Sequence, residues 1–173
     1  MMREFGIIWE AINFTFINYG NIKRKSGEIP YVIHPIRVAM ILRAAGFSEF
    51  KNRNLMLAAL FHDLLEDTNL SFADLKAEYG KKIALIVKEL SKPEKVSKNE
   101  WLRAFGRTST EAKLVKMADR IDNLMDMKSI EWTVEKRRKY AQQSLIILET
   151  CGKASSRLAN KLKQLIGKTL NDL

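Results

Sequence analysis

The stretch that decides the fold reads Leu57-Ala-Ala-Leu-Phe-His-Asp-Leu-Leu-Glu-Asp-Thr68. It closes a predicted helix, from about Asn52 to Glu66, that is apolar on almost every side and is therefore expected at the centre of the protein. His62 and Asp63 stand side by side in this apolar run. A buried imidazole and a buried carboxylate need hydrogen-bond partners or a cation to offset their desolvation. The pair therefore indicates either a metal site or a satisfied polar pair of the core.

Two further carboxylates follow this pair at helical spacing. Glu66 lies four positions after His62, and Asp67 lies four positions after Asp63. Residues four apart share one face of a helix, so the two pairs should lie on adjacent faces. A metal ion held by His62 and Asp63 would leave Glu66 and Asp67 one turn further along, where they can face a bound water molecule or a substrate.

The remainder of the chain also predicts helices. Periodicity, capping residues and stop signals indicate helical segments at about 3–19, 34–45, 71–79, 81–90, 109–127, 133–150 and 154–166. A polar loop covers 21–33, and 91–108 is the least regular stretch, with a short helix expected around Trp101. There is no β-type alternation of useful length, no internal repeat and no linker. We therefore predict an all-α helical bundle that forms one domain over residues 1–173.

The bulk composition bounds the possible functions. The 173 residues are 46% hydrophobic, enough for a sizeable core, and no run approaches the roughly 20 apolar residues that cross a bilayer. The single cysteine, Cys151, cannot form an intramolecular disulfide, and the N-terminus lacks the pattern of a signal peptide, so we expect a cytoplasmic protein. The net charge of +10 predicts an anionic partner, either nucleic acid or a phosphate-rich small molecule.

The chain contains only two histidines, and each stands where it can serve a metal site. His34 precedes Pro35 at a predicted helix start, where an imidazole can turn inward. Far downstream, Asp119 and Asn123 lie four positions apart on another predicted helix. Two imidazoles and two carboxylates without a thiolate suit Mn²⁺, Fe²⁺, Co²⁺ or Zn²⁺. Taken singly, each feature has an ordinary explanation, namely a helix start, a satisfied core pair or a solvated helix face.

Three motifs occur in order along the chain. They are Arg24-Lys-Ser-Gly-Glu-Ile-Pro-Tyr-Val-Ile-His-Pro35, His62-Asp-Leu-Leu-Glu-Asp-Thr68 and Lys116-Met-Ala-Asp-Arg-Ile-Asp-Asn-Leu124. Together they resemble the HD superfamily of metal-dependent phosphohydrolases, and within it the hydrolase domain of RelA/SpoT-type alarmone enzymes. The resemblance covers residues 23–140, and predicted helices over 133–168 close the domain. It implies an HD-type helical bundle acting as a small stand-alone hydrolase.

The resemblance also assigns expected roles to individual residues. It implies that a divalent metal, typically manganese in this family, is bound by His34, His62, Asp63 and Asp119. It implies that the attacking water is positioned or activated by Glu66 and Asp67. It implies that the nucleotide is contacted by Arg24, Lys25, Asn123 and Tyr140. For Tyr140, an aromatic ring that merely packs between helices is an alternative explanation.

The reaction implied by the resemblance is hydrolysis of the 3′-pyrophosphate of guanosine tetra- or pentaphosphate, the alarmone of the stringent response, to GDP or GTP and pyrophosphate. A substrate with this many phosphates favours a basic mouth of the active site. The basic side chains expected there are those of Arg24, Lys25, Lys113 and Lys116. Two departures from the family pattern bear on substrate choice. Ile29 is an extra residue that could shift Arg24, and Asp122 replaces a histidine.

Two other functions are compatible with the sequence. An HD phosphohydrolase could act on another nucleotide, such as a nucleoside monophosphate, a deoxynucleotide or NADPH. A non-enzymatic basic domain with a structural metal could instead bind nucleic acid, with an affinity that falls steeply with salt. The basic residues are dispersed and lack interleaved aromatic residues, so nucleic acid is the less favoured partner. The sequence leaves the oligomeric state open.

Overall fold

The chain folds into helices. A computed structural model describes residues 2–25, 27–127 and 130–172, with side chains from residue 6 onward. In chain order the described helices are α1 (Met2–Tyr19), α2 (Ile33–Ala44), α3 (Arg53–Phe61), α4 (Leu64–Asp67), α5 (Phe72–Tyr79), α6 (Lys81–Leu90), α7 (Lys98–Ala104), α8 (Thr110–Asp126), α9 (Val134–Cys151) and α10 (Ser156–Asn171). Within the same residues, β-type pairing is confined to one antiparallel bridge between Lys23 and Pro30. The prediction of an all-α bundle is confirmed.

The centre of the bundle is α3, which packs against α1, α2, α6 and α8. Every residue from Leu55 to Phe61 is buried, as the apolar pattern of this helix predicts. Burying a Leu or Phe side chain stabilises a fold by about 1.5–3 kcal/mol. The helix is therefore a firm apolar support for α2 and α8, which carry polar residues of the three motifs.

The predicted continuous helix from Asn52 to Glu66 was wrong in one respect, because it is interrupted at His62 and Asp63. The helix α3 ends at Phe61, and α4 begins at Leu64. The Nδ1 atom of His62 hydrogen-bonds to the carbonyl oxygen of Ala59 at 2.8 Å. A side chain that takes a backbone carbonyl in this way competes with the helical hydrogen bonds. The interruption turns His62 and Asp63 toward the interior between two helices.

Other predicted boundaries agree well with the structure. Gly80 separates α5 from α6 with φ at +86°, a value that favours glycine. The expected short helix around Trp101 is α7, which continues into a 3₁₀ turn at Phe105–Arg107. The last helix is longer than predicted, since α10 continues to Asn171. Among the described residues, no helix is long and apolar enough to span a membrane.

A capping box begins α7 and provides a test of how this helix is fixed. The Ser97 hydroxyl accepts a hydrogen bond from the backbone N–H of Glu100, and the Glu100 carboxylate accepts one from the backbone N–H of Ser97. We predict that Ser97→Ala lowers the free energy of unfolding by about 1 kcal/mol, because it removes one half of this box. Urea denaturation measures the change. Ser97→Thr, which keeps a hydroxyl, is the control, and an equal loss in both variants would contradict the capping explanation.

Candidate metal centre and active-site cavity

Two imidazole rings and two carboxylates meet in the interior of the bundle. The Nε2 atoms of His34 and His62 lie 3.2 Å apart. The Oδ1 atom of Asp119 lies 3.4 Å from Nε2 of His34, and Oδ2 of Asp63 lies 3.0 Å from Nε2 of His62. One atom each of His34, His62 and Asp119 lie within 4.8 Å of one another, and Asp63 adjoins this trio. The structure thus brings together the four side chains that the resemblance names as metal ligands.

Both imidazole rings are oriented through their other nitrogen. Nδ1 of His34 lies 2.6 Å from Oδ2 of Asp122, and Nδ1 of His62 lies 2.8 Å from the carbonyl oxygen of Ala59. Each Nδ1–H can donate to its oxygen, which leaves each Nε2 lone pair facing the cluster. This arrangement is typical of metal-binding histidines, in which a hydrogen bond at one ring nitrogen fixes the tautomer and raises the basicity of the other.

The charges of the cluster favour a cation. Burial alone would lower the pKa of His34, but hydrogen bonds to Asp119, Asp122 and Asp63 raise it to about 10. Burial raises the pKa of Asp63, but the two neighbouring imidazoles bring it well below its usual value. The surroundings therefore stabilise a positive charge beside these carboxylates. Two imidazole nitrogens and two carboxylate oxygens with this preference fit a divalent metal ion.

Asp122 has a structural role that the sequence had indicated only as a departure from the family pattern. In addition to its contact with His34, its carboxylate pairs with Arg37, with Nε of Arg37 2.6 Å from Oδ1 of Asp122. Nη2 of Arg24 lies 3.6 Å from the same carboxylate. Asp122 is only 3% exposed, so these cations offset a charge that water cannot reach. A carboxylate can thus take the place of the usual histidine without leaving a vacant contact.

Tyr31, in the opening motif, is a second residue that sequence reasoning missed. Its hydroxyl donates to Oδ2 of Asp63 at 2.7 Å. Burial, followed by the charges of Asp63 and Asp67, raises the pKa of Tyr31 far above its usual value, so its hydroxyl remains a donor. The Tyr31 ring packs against Tyr19, with centroids 4.8 Å apart. Its position three residues before His34 in the sequence was the one available signal for this contact.

Glu66 and Asp67, the expected catalytic pair, lie on α4 and line the same cavity as Asp63. Burial has the largest effect on the pKa of Glu66 and raises it. A hydrogen bond from the backbone of Lys92 lowers this pKa and the charge of Asp63 raises it, and the net shift is upward. Burial and then Asp63 likewise raise the pKa of Asp67. Glu66 accepts a hydrogen bond from the backbone N–H of Lys92. Both carboxylates are thus placed beside the cluster without being part of it.

The cavity has a volume of about 240 Å³ and contains all four expected nucleotide contacts, Arg24, Lys25, Asn123 and Tyr140. Arg24 is fixed by Asn123 and Asp126, whose oxygens both lie 3.0 Å from Nη2. The extra residue Ile29 does not move Arg24 out of the cavity, because its carbonyl accepts the backbone N–H of Arg24 at 2.8 Å. Lys113, expected at the basic mouth, is absent from the cavity wall, so that expectation was wrong, whereas Lys116 lies in the wall.

Several residues of the cavity wall were not predicted, among them Lys98, Trp101 and Arg120, which lie in the wall together with the expected Lys116. The Nζ atoms of Lys98 and Lys116 lie 4.1 and 4.5 Å from the ring centroid of Trp101. The guanidinium of Arg120 lies 3.9 Å from the ring centroid of Tyr140. Partial burial, followed by the charges of Lys116 and Arg120, lowers the pKa of Lys98 to about 8. Lys98 lies in the stretch predicted as least regular, and only its spacing of three from Trp101 could have indicated it.

The all-α bundle, the two-histidine and two-aspartate cluster and the polar cavity beside it define a metal-dependent hydrolase of the HD type. A family model described as the HD domain matches residues 11–150. This chain belongs to the HD domain family. The resemblance stated from the three motifs is therefore confirmed.

Named relatives and a solved structure are similar to this chain over most of its length. The guanosine-3′,5′-bis(diphosphate) 3′-pyrophosphohydrolase MESH1 of Xenopus tropicalis is 32% identical over 170 residues, which cover 94% of each chain. The guanosine-3′,5′-bis(diphosphate) 3′-pyrophosphohydrolase of Aquifex aeolicus is 33% identical over 81% of this chain and 20% of its own length. A solved structure described as a metazoan ortholog of SpoT that hydrolyzes ppGpp superposes with a TM-score of 0.84 at 29% identity, covering 93% of this chain and 94% of the other.

The contact between Asp122 and His34 yields a test of the metal centre. We predict that Asp122→Asn weakens binding of a divalent metal about 10- to 100-fold, because an amide holds the His34 ring less firmly and removes a nearby negative charge. Titration of metal-free protein with Mn²⁺ measures the affinity. Asp126→Asn is the matched control, since Asp126 pairs with Arg24 and Arg37 as Asp122 does, whereas the His34 ring hydrogen-bonds to Asp122. Equal affinities in the wild type and Asp122→Asn would contradict the assignment.

Proposed function

We propose that this protein hydrolyses the 3′-pyrophosphate of guanosine tetra- or pentaphosphate, releasing pyrophosphate and leaving GDP or GTP. The observation that carries the proposal is a cavity whose wall combines Asp63 and Asp119 of the metal cluster with the Glu66 and Asp67 carboxylates and several cations. Relatives that span nearly the whole chain bear the name of this activity. A nucleotide with four or five phosphates needs a cationic wall, and a hydrolysable phosphate needs carboxylates beside the metal.

In this proposal the metal would be held by His34, His62, Asp63 and Asp119. Among the ions that the mixed nitrogen and oxygen donor set suits, manganese is the proposed one, because the related hydrolases that the motifs resemble typically use it. When bound, such an ion would polarise a phosphoryl oxygen and lower the pKa of a water molecule. The hydrogen bonds from Tyr31 to Asp63 and from His34 to Asp122 would keep the ligand atoms in position.

The carboxylates of Glu66 and Asp67 would accept and donate the protons that are transferred in the reaction. A water oxygen bonds to the phosphorus attached to ribose O3′, and the bond between that phosphorus and O3′ breaks. The water gives up a proton, and O3′ gains one as it becomes a hydroxyl. Carboxyl groups with a raised pKa are suited to accept the first proton and to supply the second.

The remaining cavity residues would bind and orient the nucleotide. Arg24 is already fixed by Asn123 and Asp126, so its free surface can approach a phosphate with little loss of side-chain entropy. Lys98, Lys116 and Arg120 form a second cationic group further along the wall. Trp132 offers an aromatic face for a base, and it packs edge-on against Tyr140 at 5.2 Å. Arg24 would bind one of the two phosphate chains, and the group of Lys98, Lys116 and Arg120 would bind the other.

The first test compares products and variants. With Mn²⁺, we predict that guanosine tetraphosphate yields GDP and pyrophosphate, resolved by anion-exchange chromatography, faster than NADPH or nucleoside monophosphates release orthophosphate. Glu66→Gln and Asp67→Asn should each lower kcat about 100-fold or more while keeping the metal content, because each removes a proton acceptor. Glu78→Gln, an exposed carboxyl outside the cavity, is the control. Release of orthophosphate alone, or unchanged kcat in both variants, would contradict the proposal.

The lowered pKa of Lys98 gives a second test, on substrate affinity. Lys98 loses its charge as the pH rises through about 8, so KM for guanosine tetraphosphate should rise. We predict an increase of up to about tenfold between about pH 7 and pH 9, as proton linkage requires. Lys98→Arg, which stays charged, should lack this rise, and Lys98→Met should have a high KM throughout. Measuring KM for all three proteins separates Lys98 from other titrating groups, and parallel pH profiles would contradict its role.

A further inference from the structure

A second cavity lies at the C-terminal end of the bundle, and its described wall residues are all different from those of the active-site cavity. It has a volume of about 330 Å³ and lies between the end of α8, the start of α9 and the end of α10. We call it the C-terminal groove, and the wall residues used below are Met125, Met127, Arg137, Lys161, Leu165 and Lys168. Its volume lies at the lower end of the range of small-molecule sites.

The floor of the C-terminal groove is apolar. Met125 lies in the last turn of α8, Met127 directly follows that helix, and Leu165 comes from α10. Met125 is 59% exposed, so much of its side chain is accessible to a ligand in the groove. Methionine side chains are flexible and polarisable, so they adapt to the shape of an inserted hydrocarbon chain. The floor therefore suits a narrow hydrocarbon chain.

The rim of the groove is cationic. Arg137 from α9 and Lys161 and Lys168 from α10 line it, and among the described wall residues they face one carboxylate, that of Asp172. The Nε atom of Arg137 is buried and has no hydrogen-bond partner within the part of the chain that the structure describes. Three cations around an apolar floor would repel a cationic ligand, and a neutral ligand would offer no charge to pair with them. The rim therefore selects a ligand that carries an anionic head.

We propose that the C-terminal groove is a binding site for a small amphiphilic anion, an acyl chain of about eight carbons that ends in a carboxylate or phosphate. The chain would lie on Met125, Met127 and Leu165, and the head would lie among Arg137, Lys161 and Lys168. A polyphosphate nucleotide is disfavoured, because its charged chain would bury the apolar floor without a matching apolar surface. This site is independent of the hydrolase activity proposed above.

The probe for the test is sodium octanoate, kept below the concentration at which it forms micelles. The protein is labelled with ¹³C at its methionine methyl groups and followed by NMR. We expect saturable shifts at Met125 and Met127 and none at Met40, Met56 and Met117, which lie outside the groove. Octyl phosphate should act similarly, whereas acetate and octylammonium should not. Uniform or unsaturable shifts, or equal shifts from octylammonium, would overturn the proposal.

Variants at the rim provide matched controls. Lys161→Ala combined with Lys168→Ala should lower the affinity for octanoate about five- to tenfold, as expected for the loss of two partly exposed ion pairs. Met125→Glu, at an exposed position, should abolish binding without disturbing the fold. Lys163→Ala, on the same helix but outside the groove, should change the affinity less than about twofold. Equal effects of the Lys163 variant and the double variant would show that only overall charge matters.

Two other occupants of the groove are distinguished by the same spectra. If a second copy of the chain covers the groove, the Met125 signal will shift with protein concentration in the absence of octanoate. If only a membrane surface is recognised, vesicles of phosphatidylglycerol will shift Met125 but monomeric octanoate will not. Either result would overturn the proposal of a small-molecule site.

Discussion

The whole structure depends on one constraint, which is that two imidazoles and two carboxylates meeting inside the core must be oriented and electrically balanced. Each of the four has a fixed partner outside the cluster. These partners are Asp122 for His34, the Ala59 carbonyl for His62, Tyr31 for Asp63 and Lys116 for Asp119. Leaving one member of a buried ion pair without its partner costs about 3–5 kcal/mol. The cluster and its partners must therefore be preserved as a set.

These partners also join segments that are distant in the sequence. Arg24, in the loop before α2, donates to Asn123 and Asp126 at the end of α8. Arg37, on α2, pairs with Asp122 and Asp126 on the same face of α8. The opening loop is thus fastened to α8 by the ion pairs that orient a candidate metal ligand. Arg24 and His34 consequently contact the same carboxylate, that of Asp122, so a ligand that moved Arg24 would also act on the orientation of His34.

The sequence predicted much of this arrangement, because local rules govern much of it. Apolar periodicity and capping residues located the helices, and the isolated polar groups of an apolar helix located His62 and Asp63. Local rules could not predict the interruption at His62, because it depends on a hydrogen bond between the ring and a carbonyl. Nor could they predict Lys98, which reaches the cavity because α7 packs against α9. Long-range packing decides the position of Lys98, whereas the hydrogen bond of His62 spans only three residues and is of a kind that helix periodicity does not predict.

The net charge of the chain proved to be a weaker guide to the substrate than it first looked. Among the described residues that line the active-site cavity, five cationic side chains, Arg24, Lys25, Lys98, Lys116 and Arg120, face four carboxylates, Asp63, Glu66, Asp67 and Asp119. The wall is therefore nearly balanced, and most of the excess charge of +10 lies elsewhere. A divalent ion at the carboxylate end would make the cavity clearly cationic. Metal and polyphosphate binding should consequently reinforce one another, because each offsets charge that opposes the other.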